Sequence, residues 1–164
     1  MIPEIKKILY ATDLSKNSVN TFFYAVDMAR KYNARIVVLH AIEPVPESIF
    51  VEEGTKGVEE VLEKAKRQEQ KADSEKITKL LREFCKRTET QTGPPCTELV
   101  SEILVPIGDP VDKILKTAEI ERCDAIILGT HGKGFWRENF LGSIAEDVLR
   151  RTRKPVFVIP WTSE

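Results

Sequence analysis

Short, uninterrupted apolar runs most constrain what this chain can fold into. Residues 36–39 and 125–128 contain no polar side chain, whereas a strand with one solvent-facing side alternates apolar and polar residues. Continuous runs of about four to eight residues are typical of strands that are covered on both faces. The runs therefore predict a buried parallel sheet rather than an antiparallel one.

Helical patterns separate these runs along the chain. We predict strands at about residues 5–12, 35–42, 99–105, 123–128 and 155–160. Apolar spacing predicts four helices, which follow Ser15 or cover about residues 58–87, 110–121 and 143–152. Their expected N-caps are Ser15, Asp109 and Ser143, with loops at residues 44–57 and 91–97. This alternation predicts one three-layer α/β domain, with right-handed crossovers and helices on both faces.

Length and charge exclude several classes of protein. A chain of 164 residues can form a core without disulfides or metals. Its net charge of −1 gives no basis for binding nucleic acid or an anionic membrane. The three cysteines include no Cys-x-x-Cys pair, so we expect reduced thiols. With no signal-peptide core and no run long enough to span a bilayer, we expect a cytoplasmic protein.

A glycine-rich stretch follows the fourth predicted strand. It begins at Gly129, continues through Gly132 and Gly134, and ends at Gly142 and Ser143, where a helical pattern starts. Glycine lets backbone N–H groups approach a ligand, and a helix N-terminus favours negative charge. The stretch therefore predicts a cradle for the phosphates of a nucleotide.

The predicted topology brings a second feature to this loop. In parallel sheets, ligands bind beyond the carboxyl ends of the strands, where the strand order reverses. If the order is 3-2-1-4-5, the reversal lies between strands one and four, and Asp13 faces Gly129 across one crevice. A carboxylate suits the ribose or the base, which offer hydrogen-bond donors, better than it suits phosphates.

These residues resemble a known family. The spacing Gly129-x2-Gly132-x9-Gly142-Ser143 resembles the G-x2-G-x9-G-[S/T] signature of the universal stress protein family, in its ATP-binding branch. Residues 8–15, with their Thr12-Asp13 turn, look like that family's opening strand. The resemblance covers essentially the whole chain, residues 1–164. It implies a Rossmann-like, adenine nucleotide alpha hydrolase-like sheet with strand order 3-2-1-4-5.

The resemblance also implies an ATP site at the switch point. Asp13, beside Thr12, would bond the adenine or ribose end, and Ala41 would meet adenine through its backbone. The residues implied on the ribose and phosphate side are Leu128, Gly129, Thr130, His131, Gly132, Lys133, Gly142, Ser143 and Ile144. For Lys133, a phosphate contact and a solvent-facing side chain are both open. Whether Mg²⁺ or Mn²⁺ bridges the phosphates is also open.

The implied role is regulatory, in a homodimer that pairs through residues 156–159 and hydrolyses ATP slowly or not at all. The alternative is a nucleotide-using enzyme on the same fold. An ATP pyrophosphatase would need a Ser-Gly-Gly-x-Asp-Ser loop after strand one, and a nucleotidylyltransferase a His-x-Gly-His motif; residues 12–15 supply neither. His40 has no second ligand nearby in sequence, so we expect no metal role for it. Phe135 and Trp136 could cover the site or the sheet edge, and both alternatives stay open.

Overall fold

A single parallel sheet forms the centre of the protein. The computed structural model describes residues 1–15, 18–44, 57–87, 93–130 and 141–160. In chain order the strands are β1 (Lys7–Ala11), β2 (Arg35–Leu39), β3 (Val100–Leu104), β4 (Ala125–Gly129) and β5 (Val156–Ile159). All four neighbouring pairs are parallel, and the order is β3-β2-β1-β4-β5. The predicted fold class and strand order are confirmed.

Helices connect the strands and cover the sheet. They are α1 (Ser18–Tyr32), α2 (Val58–Lys86), α3 (Cys96–Leu99), α4 (Pro110–Ile120) and α5 (Ser143–Arg151). Four correspond to predicted helices. The exception, α3, lies where a loop and the start of a strand were predicted, and its four residues are too few to show a helical period. None of the helices within the described ranges is long and apolar enough to cross a bilayer.

The two faces of the sheet belong to two separate core clusters. On β1, Ile8 and Tyr10 pack in a cluster with residues of α1, α2 and α3. Leu9, between them, packs in the other cluster with residues of α4 and α5. Ile8 and Leu9 are both fully buried, and burying a side chain of this size stabilises the fold by about 2–3 kcal/mol. The uninterrupted apolar runs follow from this arrangement, because both faces of the central strands are covered.

Two of the three predicted N-caps are wrong. Helix α1 begins at Ser18, whose N–H and hydroxyl both donate to the Ser15 carbonyl, at 3.1 and 2.6 Å. Ser15 therefore lies before the helix rather than at its cap. Helix α5 is capped by the backbone of Gly142, which makes Ser143 its first helical residue. The Asp109 cap is confirmed, since its carboxylate accepts from the Asp112 N–H at 3.0 Å.

The expectation of reduced thiols is also wrong for two of the three cysteines. A disulfide joins Cys85, in the last turn of α2, to Cys96 at the start of α3, with Cα atoms 5.2 Å apart. Both residues are buried. The chain returns from α2 to β3 across a short connection, and this return brings together two cysteines whose spacing fits no familiar sequence motif. Cys123 is free and buried.

Candidate functional site

The carboxyl ends of β1 and β4 lie side by side at the centre of the sheet. Tyr10 pairs with Ile127, so the same register carried forward places Thr12 level with Gly129. The strand order reverses between these two strands. In doubly wound sheets this is where ligands bind. The structure therefore brings the turn after β1 and the end of β4 to one edge, as the sequence predicts.

The turn after β1 is held by its own side chains. The Thr12 hydroxyl accepts from the Leu14 N–H at 3.1 Å, and Asp13 Oδ1 accepts from the Ser15 N–H at 2.9 Å. Leu14 between them has a φ of +62°. This left-handed conformation is unfavourable for leucine by about 1–2 kcal/mol. Such strain persists only where surrounding contacts enforce it, and it is frequent at ligand-binding sites.

One carboxylate oxygen of Asp13 is buried without a partner in the part of the chain that the structure describes. Oδ2 is buried and has no hydrogen-bond partner among the described residues, whereas Oδ1 is bound to Ser15. The Ser15 hydroxyl is likewise buried without a partner there. Leaving a buried acceptor unpaired destabilises a protein by about 1–3 kcal/mol, so such groups call for a specific explanation. A ligand with hydrogen-bond donors would satisfy both.

Ala41 presents its backbone N–H and C=O groups at the same edge. The residues on either side of Ala41 bond toward β3. The His40 N–H donates to the Leu104 carbonyl at 3.0 Å, and the Ile42 N–H donates to the Pro106 carbonyl at 2.8 Å. Because alternate residues of an extended strand face opposite neighbours, the N–H and C=O of Ala41 face the β1 side. Within the described ranges neither group has a hydrogen-bond partner. They are available to a ligand, as the predicted backbone role requires.

The far end of the glycine stretch returns to the end of β4. The Gly142 N–H donates to the Thr130 carbonyl at 2.6 Å, and the Thr130 N–H donates to the Ile159 carbonyl at 3.0 Å. Gly129 itself is closely packed, because a Cβ there would lie 3.3 Å from the Thr21 hydroxyl. The start of α5 is thus fixed beside β4, at the same edge as Asp13.

Helix α5 offers backbone donors at that position. The Glu146 N–H closes the first helical turn on the Gly142 carbonyl at 2.9 Å. The preceding N–H groups have no hydrogen-bond partner among the described residues: Ser143, Ile144 and Ala145. Ser143 and Ile144 are exposed. Unpaired N–H groups together with the positive end of the helix dipole form a site suited to an anion such as phosphate.

Other predicted site residues are placed differently or fall outside the description. The Leu128 side chain is buried in the cluster under α4 and α5, so only its backbone could face a ligand. His131, Gly132 and Lys133 lie outside the described residues, as do Phe135 and Trp136.

Tyr10 connects β1, which precedes the turn, to helix α1, which follows it. Its hydroxyl donates to the Ser18 carbonyl at 2.8 Å. Burial raises the pKa of Tyr10 to about 12, so the phenol stays neutral and its hydrogen bond persists at neutral pH. This bond ties β1 to the first residue of α1 and so fixes both ends of the turn.

His40 makes contacts that the sequence did not predict. Its Nδ1 lies 2.9 Å from the Thr12 carbonyl oxygen, and its Nε2 lies 3.4 Å from Asp73 Oδ2 on α2. The ring therefore connects the turn after β1 to the long helix. The position of His40 at the end of a predicted strand was the only signal available, and Asp73, far along the chain, carried none.

A second concave region lies away from this edge. It is a groove of about 400 Å³ between α2 and β3, and its lining includes Ser74, Arg82 and Ser101. None of the predicted site residues lines it. The edge beside β1 and β4, where the sequence-predicted residues meet, therefore remains the candidate functional site.

Comparisons with known proteins agree with this architecture. Universal stress protein MJ0577 of Methanocaldococcus jannaschii is 32% identical to this chain over an alignment of 165 positions that covers 94% of each protein. A solved structure of MJ0577 superposes with a TM-score of 0.74 at 26% identity, covering 99% of this chain and all of that one.

Two further solved structures share the fold at lower identity. A universal stress protein in complex with cAMP gives a TM-score of 0.60 at 20% identity, covering 96% of this chain and 98% of that one. A family protein from Arabidopsis thaliana with AMP bound gives 0.58 at 14% identity, covering 96% and 93%.

The family model for the universal stress proteins matches residues 4–160. A match of this extent includes every strand and helix described above. The chain belongs to the universal stress protein family.

Proposed function

We propose that this protein is a regulatory ATP-binding protein that hydrolyses ATP slowly or not at all. The observation that carries the proposal is the pairing of two features at one sheet edge: the buried Asp13 Oδ2 and the N–H groups that begin α5, neither of which has a partner among the described residues. The first suits a donor on ribose or adenine, and the second suits phosphate. Adenosine nucleotides carry both kinds of group.

Known relatives support an adenine nucleotide as the ligand. The family structures described above contain cAMP in one case and AMP in another. We assign ATP rather than a monophosphate because the glycine stretch continues for more than ten residues between Gly129 and Gly142, which gives the phosphates several backbone donors.

In the proposed complex, each part of ATP has its own residues. Asp13, beside Thr12, accepts from the ribose or adenine, and the Ala41 backbone meets the adenine edge. The residues assigned to the ribose and phosphates are Leu128 (through its backbone), Gly129, Thr130, His131, Gly132, Lys133, Gly142, Ser143 and Ile144.

A divalent ion would bind this protein through the phosphates of ATP. Among the described residues, no group of three or more His, Cys, Asp or Glu side chains is arranged to hold a metal. Mg²⁺ usually keeps several waters and binds through substrate phosphates. We therefore propose that Mg²⁺ or Mn²⁺ enters with ATP and neutralises part of its charge.

The substitution Asp13→Asn tests the proposal. The asparagine side chain keeps an acceptor for the Ser15 N–H but puts an amide NH₂ where Oδ2 was. We expect ATP affinity to fall about 10- to 100-fold, since a hydrogen bond to a charged group contributes about 1.5–3 kcal/mol. The melting temperature without ligand should not fall, because the variant removes a buried, unsatisfied charge. Isothermal calorimetry and thermal denaturation measure the two quantities.

Two outcomes would contradict the proposal. One is wild-type protein that binds no adenine nucleotide at millimolar concentration. The other is release of ADP at about 1–1000 per second, the usual range for enzymes, which would favour the alternative of a nucleotide-using enzyme. Asp112→Asn, at an exposed site on α4, is the matched control and should bind ATP as the wild type does.

We further propose that the protein dimerises through β5, an edge strand of the sheet. The Pro155 and Ile159 carbonyls accept hydrogen bonds from β4 and from the residue that follows β4. The backbone groups of Val156 and Val158 therefore face away from β4, toward the open edge of the sheet.

The substitution Val158→Pro removes a hydrogen-bond donor from this open edge without removing any bond between β4 and β5. We expect this variant to sediment as a folded monomer, whereas Val158→Ala stays dimeric. A dimeric Val158→Pro variant would place the interface elsewhere.

A further inference from the structure

His40 lies between two hydrogen-bond acceptors. Nδ1 faces the Thr12 carbonyl oxygen at 2.9 Å, and Nε2 faces Asp73 Oδ2 at 3.4 Å. A neutral imidazole has one N–H, whereas the imidazolium ion has two. Only the doubly protonated ring donates to the Thr12 carbonyl and also forms an ion pair with Asp73, because a neutral ring turns a lone pair toward one of the two oxygens.

Both side chains of the His40–Asp73 pair are partly buried. The side chains of His40 and Asp73 are 14% and 27% exposed, so solvent screens their interaction less than it screens a surface pair. Asp73 is the ionisable side chain that α2 places against the ring. The end of β1 contributes the neutral Thr12 carbonyl, with Asp13 next in the chain. On the other side, the His40 N–H donates to the uncharged Leu104 of β3, and Glu102 lies two residues earlier on that strand.

The turn after β1 and helix α2 also lie on either side of a small cavity. A cavity of about 10 Å³ is lined on one side by Thr12 and Leu14 and on the other by Ile77 and Leu81 of α2. Leu14 is in the left-handed conformation, so the turn depends on outside contacts to keep its shape. The His40 bond to Thr12 acts one residue before Asp13.

We propose that protonated His40 is a positioning residue: it links the Thr12-Asp13 turn to Asp73 of α2 and thereby sets Asp13 for the nucleotide. The inference rests on the proposed nucleotide site and adds its regulation by protons and by α2. Loss of the proton breaks one of the two contacts and releases the turn from the helix. Nucleotide affinity is therefore higher when the ring is charged and falls as the pH rises.

The first test is a pH profile of ATP affinity. Free histidine changes charge between about pH 5 and pH 8, and this is the range to scan. We expect wild-type affinity for ATP to be about tenfold higher at its acidic end, in line with the loss of one ion pair between partly buried side chains. In His40→Gln the part of this ratio that comes from the ring should disappear. Any pH dependence that belongs to ATP or to other groups is common to both proteins, so the difference between the two profiles isolates His40. An unchanged ratio in the variant would overturn the proposal.

The second test is a double-mutant cycle at acidic pH. His40→Gln and Asp73→Ala should each weaken ATP binding about tenfold, and the double variant should be no weaker, because both remove the same link. Gln70→Ala is the matched control on α2, since Gln70 bonds the Val105 carbonyl at 3.1 Å without touching the turn. It should leave affinity unchanged. Additive losses, or an equal loss in Gln70→Ala, would mean that α2 acts only by general support of the fold.

A third measurement needs no nucleotide. In ¹⁵N-edited NMR spectra of the free protein at acidic pH, both ring nitrogens of His40 should show the protonated signature. Detection of a single N–H throughout the range would overturn the role of His40 whether or not ATP binds. Conversely, a doubly protonated ring in a protein that binds no nucleotide would contradict the proposed function and leave the link to α2 intact.

Discussion

Replacing Gly142 by valine is expected to lower ATP affinity by at least about 100-fold, a loss of nearly 3 kcal/mol of binding free energy. Gly142 caps α5 immediately before the N–H groups of Ser143 and Ile144, which have no partner within residues 93–130 and 141–160 or the other described ranges. In the proposed complex the phosphates lie against this backbone, so a branched side chain would occupy their position. Isothermal calorimetry with ATP measures the loss.

The variant should remain folded. Gly142 has φ −59° and ψ +151°, an extended conformation that valine adopts without strain. Its hydrogen bond to the Thr130 carbonyl comes from the backbone and is retained. We expect only the modest loss of about 1 kcal/mol that follows when a β-branched residue replaces a favourable N-cap.

Gly57→Val is the matched control. Gly57 is the N-cap of α2, and a Cβ built there meets no atom within 4 Å. The same substitution at the same helical position should leave ATP affinity unchanged, which separates a local effect on phosphate from a general effect of altered capping. Full affinity in Gly142→Val would show that the phosphates bind elsewhere.

The sheet could be predicted because its signal is local. Each strand carries its own apolar run, and burial on both faces makes the run continuous. Helix α2 was predicted to within a residue at its end, since its apolar stripe continues over many turns. The helix starts were predicted less well. Ser15 has the right residue type for an N-cap, yet its carbonyl rather than its hydroxyl receives the Ser18 bonds.

The candidate site could be predicted in part, for a related reason. The strand order places the residues directly after β1 beside those directly after β4, so the meeting of Asp13 and Thr130 at one edge follows from topology. Gly142 reaches this edge through its hydrogen bond to the Thr130 carbonyl, which the strand order alone does not predict. The contact between His40 and Asp73 does not. It depends on where α2 lies over the sheet, which no local pattern encodes. Unused donors and acceptors, such as Asp13 Oδ2, likewise become visible only in three dimensions.

Reduction of the Cys85–Cys96 disulfide is expected to lower the free energy of unfolding by about 3 kcal/mol. The two cysteines are 11 residues apart, and closing a loop of this length restricts the unfolded chain by about that amount. Urea denaturation with and without a phosphine reductant measures the difference. The disulfide joins the end of α2 to the segment that leads into β3, and both cysteines belong to the core cluster on that face of the sheet.

The paired variant Cys85→Ala/Cys96→Ala controls for direct effects of the reductant, since its stability should not depend on the reductant at all. Thiol titration adds a separate check. Burial raises the pKa of Cys123 to about 11, so this free thiol should react only after unfolding, and the denatured, unreduced protein should show one thiol rather than the three that the sequence contains. Three thiols without reductant would mean that Cys85 and Cys96 are merely adjacent. The stability of α2 would then rest on its packing alone, through Ile77, Leu81 and Phe84 against the sheet.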